Sequence, residues 1–250
     1  MTPQITPDET WDELFAEVYL RAYQDLRDRD SEEEARSVAA LAGVEPPAEI
    51  LDAPTGFGRH AIPLAERGFR VTGIDRSPVQ LEEASRMAGV VEWPKWVQAD
   101  VRELPFEEES FDAVFSLFSS IGYRGEDGDR QAFDEYLRVL RPGAPLMIET
   151  LHRDRLMVVF QERGWDPLLD DAVRLEERRI DYAAGEIETT LTVLEVGQRR
   201  SVTYRMRVYT ATELVKLLAR TGFTEIECFG DYEGGPLSRE TRLVVRARKP

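Results

Sequence analysis

The residues with the clearest chemical meaning are three acids and two glycines. Ile50-Leu51 reads as a strand that runs through Asp52-Ala53-Pro54-Thr55 into Gly56-Phe57-Gly58-Arg59-His60-Ala61, a glycine turn that opens a helix. Glycines in such a turn let the backbone pass close to a ligand, and the helix start presents free N–H groups to something polar or anionic. Asp75 ends the next strand, 17 residues after Gly58, where a carboxylate can accept both hydroxyls of a ribose. Asp100, in Gln98-Ala99-Asp100-Val101, ends the third strand, and an acceptor beside an apolar side chain suits an adenine amino group and its ring face. Three acids on three adjacent strand ends outline one nucleoside pocket. The Gly-x-Gly-x-x-Ala turn by itself equally suits a dinucleotide whose pyrophosphate sits on the helix start.

These residues need elements that bring strand ends together. From residue 49 short β-rich runs alternate with helical stretches, the pattern of a parallel sheet with crossover helices. The runs are Ile50-Leu51, Arg70 to Ile74, Trp96-Val97, Phe111 to Leu117 and Pro145 to Thr150. Helices are predicted at 59–67, 78–88 and 129–140. Beyond residue 170, three longer β candidates at 173–182, 186–196 and 199–209 predict an antiparallel meander inserted into the α/β domain. A helix at 211–221, capped by Thr210 or Thr212, and strands at 224–229 and 241–248 complete the chain. Residues 8–43 read as two helices, with Trp11, Leu14, Phe15, Val18 and Leu26 on one stripe and Val38 and Leu41 on the next.

Composition narrows the partners. The net charge is −16 over 250 residues, and residues 1–50 alone hold 13 acidic and 4 basic side chains, so most of the surface repels a phosphate backbone. Nucleic acid is therefore not expected as a partner. No apolar run approaches the roughly 20 residues that span a bilayer, and the start carries no export signal, so the expectation is a cytoplasmic chain with no membrane contact. One cysteine, Cys228, and two histidines, His60 and His152, offer no metal-ligand pattern, and no metal is expected.

The motifs in order, Leu51-Asp52 with Gly56 and Gly58, Gly73-Ile74-Asp75, Ala99-Asp100, Phe111-Asp112-Ala113-Val114 and Leu140-Arg141-Pro142-Gly143, resemble those of the class I S-adenosylmethionine-dependent methyltransferases over residues 48–150. The tail, Tyr209 to Gly230 and Arg242 to Ala247, fits the same family, whereas Pro54, which has no N–H, stands where the family often has a glycine. The resemblance implies an α/β fold with a doubly wound, mostly parallel seven-stranded sheet and an antiparallel last strand. An N-terminal helical lid segment (1–47) would precede a Rossmann-like domain (48–250), with the β-meander (170–210) inserted over the acceptor side. It further implies S-adenosylmethionine as cofactor, with Asp52, Gly56 and Gly58 bordering the methionine portion, Asp75 on the ribose, and Asp100 with Val101 on the adenine. Arg76 and Arg102 flank two of the acids, and Arg76 is counted with the cofactor-binding candidates. Tyr19 and Tyr23, four apart on a helix, can close over the methionine carboxylate, with helix packing as the equal alternative.

Acceptor chemistry is expected at Ser119-Ser120-Ile121-Gly122-Tyr123 and Glu149-Thr150-Leu151-His152-Arg153, after the fourth and fifth strands. The first segment is not the Asp/Asn-Pro-Pro-aromatic motif of enzymes that methylate base amino groups, and Cys228 lies on a late strand, away from where cytosine-carbon chemistry needs a nucleophile. A small-molecule acceptor, methylated on nitrogen or oxygen, is the reading that follows. A sulfonium methyl is already activated, so holding donor and acceptor in line and excluding water suffices, and a base is optional. His152 and Tyr123 are the candidates to accept or orient an acceptor proton, and Ser119, Arg153 and Arg207 are candidate acceptor contacts. Arg205, Arg207 and Tyr209 alternate onto one face of their strand, to meet an anionic acceptor or to pair with Glu186 or Glu188. The alternatives are a nicotinamide-dependent oxidoreductase, for which no catalytic lysine and tyrosine pair stands out, and a non-catalytic donor-binding module that forms a homodimer through the meander.

Overall fold

The computed structural model describes residues 18–23 and 31–250. Trp11, Leu14, Phe15 and Leu26 of the predicted N-terminal stripe lie outside the described residues. The helices are α1 (Tyr19–Ala22), α2 (Ser31–Ala42), α3 (Ala61–Glu66), α4 (Pro78–Ala88), α5 (Gly125–Val139), α6 (Arg153–Val159) and α7 (Ala211–Thr221). The strands are β1 (Glu49–Asp52), β2 (Arg70–Asp75), β3 (Lys95–Gln98), β4 (Ala113–Ser116), β5 (Pro145–Thr150), β6 (Arg163–Pro167), β7 (Val173–Asp181), β8 (Glu186–Glu195), β9 (Gln198–Arg207), β10 (Thr224–Phe229) and β11 (Leu243–Arg248).

Seven strands form a sheet in the order β10-β11-β5-β4-β1-β2-β3. The neighbours from β5 to β3 are parallel, and β11 runs antiparallel to both β5 and β10. Period-two alternation sorts the apolar runs between two cores, as expected for strands covered on both faces. Leu51, Val114, Leu146, Ile148 and Val245 point to the side where α5 and α7 bring Phe133, Tyr136, Leu214 and Leu218. Ile50, Phe115, Met147 and Val244 point to the other, where α2 and α3 bring Val38 and Leu64. This is the doubly wound sheet expected, with the carboxyl ends of β1, β2, β3 and β4 along one edge.

Local chemistry sets the helix ends. Ser77 caps α4, with Pro78 at its first position, and its side chain accepts from Gln80 N at 3.4 Å. Thr210, rather than Thr212, caps α7: its Oγ1 accepts from Glu213 N while Glu213 reaches back to Thr210 N. The helix expected at 129–140 starts four residues earlier, at Gly125.

The second sheet has four strands in the order β6-β7-β8-β9, one more than the sequence suggested. The extra strand, β6, has no apolar alternation, and its one large apolar side chain, Trp165, is exposed. The helix α6 was also unforeseen, because none of its residues is buried. Val18 and Ala22 at the N-terminus pack on Leu191, Val193 and Val202 of this sheet. Among the described residues, no helix is long and apolar enough to cross a membrane.

Candidate active site

The turn after β1 is anchored to both neighbouring strands: Ala53 N donates to Phe115 O at 2.8 Å and Thr55 N to Ile74 O at 2.6 Å. A cleft opens over it, between the strand ends, α1, the first half of α5 and the loop after β4. Of the residues predicted for the donor, Tyr19, Gly56, Asp75, Arg76, Asp100 and Val101 line this cleft, and so do Ser119 and Tyr123 from the acceptor set.

Asp75 is buried at the end of β2. Its Oδ2 accepts from Gly56 N and its Oδ1 from Ser77 N, each at 2.9 Å, and the Arg76 N–H adds to these, so the carboxylate holds the glycine turn to the start of α4. Burial pushes its pKa up to about 6 against those hydrogen bonds. Gly56 needs its glycine for the backbone, with φ +56°. Asp100 is less open than the sequence suggested. Arg102 donates to it from its backbone N (2.9 Å), Nε (2.9 Å) and Nη2 (2.7 Å), and Arg76 Nη1 stands 3.6 Å from Oδ2. Burial raises the Asp100 pKa, but the hydrogen bonds and charge of Arg102, with Arg76, bring it below the ordinary value. The two arginines are thus partners of the acid, and Oδ2 keeps acceptor capacity toward the cleft.

Several expected residues stand elsewhere. Asp52 lies behind the cleft wall: it is buried, accepts from Thr55 Oγ1 at 2.6 Å, and has a pKa pushed to about 7 by burial. Thr55 takes its place in the wall. Gly58 is absent from the wall because it serves packing; a Cβ there would stand 2.7 Å from the Trp96 ring. His152 does not face the cleft. After β5 the chain bridges Tyr209 and turns into α6, which buries the ring there with Nε2 3.5 Å from Asp154 Oδ2. Arg153 follows it to 3.9 Å from Glu213. Arg207 meets neither an acceptor nor Glu186 but donates to Glu213 Oε1 at 2.7 Å and to the carbonyls of Gly185 and Val208, whereas Arg205 pairs with Glu188 as expected. Cys228 is half-buried and free in β10.

The cleft wall also contains residues that the sequence did not assign to it, among them His60, which its place beside Arg59 in the first helix suggests to be structural. Arg59 and His60 line the cleft while both reach Glu34 of α2, at 2.6 and 3.2 Å. Asp129, buried on α5, accepts from Gly122 N at 2.9 Å and from Tyr209 Oη at 2.5 Å, and burial pushes its pKa to about 6. A signal for it existed: Asp129, Ala132, Phe133 and Tyr136 have the spacing of one buried helical face, so an acid stood on an apolar stripe. Tyr123 is packed by Tyr204, 5.9 Å between ring centroids, and burial pushes its pKa well above 10.

A doubly wound sheet with a cleft across its carboxyl edge, acids at successive strand ends and a glycine turn beneath defines a protein that binds a nucleoside-bearing ligand. Residues 50–143 match the family model described as a methyltransferase domain. The demethylmenaquinone methyltransferase of Clavibacter sepedonicus is 38% identical over 131 residues, 52% of this chain and 50% of that protein, so the chain spans half the length of that relative. The CcbJ methyltransferase of Streptomyces caelestis superposes with a TM-score of 0.77 at 24% identity, over 93% of this chain and 98% of that one. The amino pentose methyltransferase CalS10 of Micromonospora echinaspora, solved with S-adenosylmethionine bound, superposes with a TM-score of 0.70 at 21% identity, over 94% and 97%. The chain thus carries a methyltransferase domain over residues 50–143 and has the fold of S-adenosylmethionine-dependent methyltransferases.

Proposed function

We propose that this protein transfers the methyl group of S-adenosylmethionine to a nitrogen or oxygen of a small-molecule acceptor. The observation that carries the proposal is that one cleft is lined both by Gly56, Asp75, Asp100 and Val101 and by Ser119 and Tyr123 from the loop after β4. The residues fit the donor. Asp75 lies in the wall as an acceptor for the ribose hydroxyls, Val101 and Ala99 offer apolar surface beside Asp100 for the base, and Gly56 leaves room for the chain that bears the sulfonium. When bound, S-adenosylmethionine supplies an activated sulfonium methyl.

The chain's own contribution is positioning. Leu117, Phe118 and Ile121 exclude water from the cleft wall, and Tyr19 contributes to its roof from the N-terminal segment. The short helix α1 is backed by the four-stranded sheet, since Val18 and Ala22 pack on Leu191, Val193 and Val202. Tyr123 stays a neutral phenol at physiological pH and so orients the acceptor by hydrogen bonding rather than acting as a phenolate base. An amine or hydroxyl on a small molecule suits the hydroxyl groups of Ser119, Ser120 and Tyr123 on this side of the cleft, and an amino pentose, as methylated by CalS10, is one such molecule.

Differential scanning calorimetry tests the donor. S-adenosylmethionine and S-adenosylhomocysteine at 100 times their dissociation constants should each stabilise the fold by about 2.7 kcal/mol, and nicotinamide cofactors should not. Stabilisation by the nicotinamide cofactors alone would refute the proposal. A positive result is followed by a screen of amines and alcohols with labelled donor.

A further inference from the structure

The loop after β4 has the least ordinary backbone in the cleft wall. Phe118 and Ser119 have φ +59° and +57°, consecutive residues in the left-handed region, and neither is glycine. Side-chain-bearing residues do not stay there unless their surroundings hold them, and such strain collects at binding and reaction sites. Both residues line the cleft.

The holding group is Glu149, near the end of β5 and outside the cleft wall. Phe118 N donates to its Oε2 at 2.8 Å and Ser119 N to its backbone carbonyl at 2.9 Å. The side chain is buried at the end of an otherwise apolar strand, and burial raises its pKa while Arg242 and Arg59 oppose that rise. An apolar residue would fill this space at lower desolvation cost, so the acid needs a reason to be there, and the Phe118 N–H is one. The far end of the same loop is held likewise: Asp129 accepts from Gly122 N, and Arg207 N donates to Gly122 O at 2.8 Å. Gly122 has φ +94°, and a Cβ on it would stand 2.2 Å from Arg207 O.

We propose that Glu149 is a positioning residue for methyl transfer: its carboxylate and main-chain carbonyl hold Phe118 and Ser119 in the left-handed conformation that shapes the cleft, while Asp129 fixes the loop's other end through Gly122. The inference rests on the donor reading above. Glu149 acts through backbone amides and touches no reacting atom, so its effect reaches the ligand only through the shape of the loop.

Titration calorimetry with S-adenosylmethionine on wild type, Glu149→Gln, Glu149→Ala and Glu149→Ala/Ser119→Gly tests it. The glutamine amide oxygen can still accept from Phe118 N, so Glu149→Gln should bind within about threefold of wild type, and Glu149→Ala should weaken binding by about tenfold or more. Glycine takes positive φ without a steric penalty, so Ser119→Gly in the alanine background should recover at least about threefold of that loss. General loosening of the core would not be relieved by a glycine in this loop. A folded Glu149→Ala that binds within about twofold of wild type, or no recovery by Ser119→Gly, would overturn the proposal. Amide hydrogen exchange on the ligand-free wild type covers the case in which Glu149→Ala fails to fold: Phe118 and Ser119 amides should be protected by about 100-fold or more, and free exchange at either would overturn it. Because exchange needs no ligand, failure of the wild type to bind the donor refutes the proposed function separately, and exchange still decides the loop.

Discussion

Asp75 offers the sharpest test of the donor site. In Asp75→Ala the cleft loses two acceptor oxygens, which hold Gly56 N and Ser77 N at 2.9 Å and, in the proposed donor site, also take the two ribose hydroxyls. A hydrogen bond to a charged group contributes about 1.5–3 kcal/mol net, so two set a ceiling near 6 kcal/mol. Water also solvates the carboxylate in the open cleft and must be displaced, which brings the expected loss to about 2–3 kcal/mol, or roughly 30- to 150-fold in dissociation constant. The variant also leaves Gly56 N and Ser77 N without partners, so calorimetry must be run well below its melting temperature. The pH profile adds an independent reading. In the proposed site the ionised carboxylate takes the donor; with burial pushing its pKa to about 6, affinity should be flat above pH 7 and fall by about tenfold at pH 5, where one molecule in roughly eleven is ionised. Asp75→Asn should remove most of that dependence. A folded Asp75→Ala that binds within threefold of wild type, with an unchanged pH profile, would take Asp75 out of the donor site.

Three further outcomes are expected. His152→Gln should leave donor affinity and transfer rate within about twofold, because the ring lies outside the cleft, whereas Tyr123→Phe should keep donor affinity and slow transfer by about tenfold or more; a slow His152→Gln enzyme would reverse that assignment. Asp52, Asp75 and Asp129 have pKa values raised to about 7, 6 and 6 by burial, so the folded state holds protons that the unfolded chain releases, and ligand-free stability should fall as pH rises from about 5 to 8. Glu34 and Glu213, lowered to about 2, contribute stability present above about pH 4.5 and lost below it, which places the maximum near pH 4; a melting temperature that climbs from pH 6 to 8 would contradict this. Gly58→Ala should lower the melting temperature more than Gly56→Ala, because its Cβ would stand 2.7 Å from Trp96 whereas the nearest atom at Gly56 is 3.8 Å away, and Gly56→Ala should cost more donor affinity. Equal thermal losses, read by circular dichroism, would refute that division.

The parts of the site that were legible in the sequence are those set by local pattern. A strand that ends in an acid and runs into a turn puts that acid at the carboxyl edge of a parallel sheet, and Asp75 and Asp100 follow from that rule alone. The parts that were not legible depend on which distant segment comes to lie alongside. His152 is two residues past β5, yet the chain there pairs with Tyr209, and no spacing near residue 152 announces that partner. Arg207 was placed on the correct strand and face region, but the carboxylate it meets is Glu213 in the cap of α7 and not one on the neighbouring strand. The strand β6 escaped because Arg163–Pro167 carries charge and an exposed tryptophan where a strand signal requires alternation. Asp129 and Glu149 are a different case. Each is an acid inside an apolar pattern, on a helix stripe and on a buried strand, and each has a backbone N–H as the reason.

That contrast separates two kinds of carboxylate around the cleft. Asp75 and the half-buried Asp100 lie in the cleft wall, and their own surroundings differ: backbone N–H groups hold Asp75, while two arginines flank Asp100. The first therefore has its pKa raised to about 6 by burial, and the second is held below the ordinary carboxylate value by Arg102 and Arg76. Glu149 stands behind the wall, and Asp129, although in it, spends acceptor capacity on Gly122 and Tyr209. Removing an acid of the first kind should change what binds while the loop stays in place. Removing one of the second kind should move the loop that carries Phe118, Ser119 and Tyr123 in the cleft wall, so the shape of that wall is set through backbone N–H groups by acids that hold the loop at its two ends.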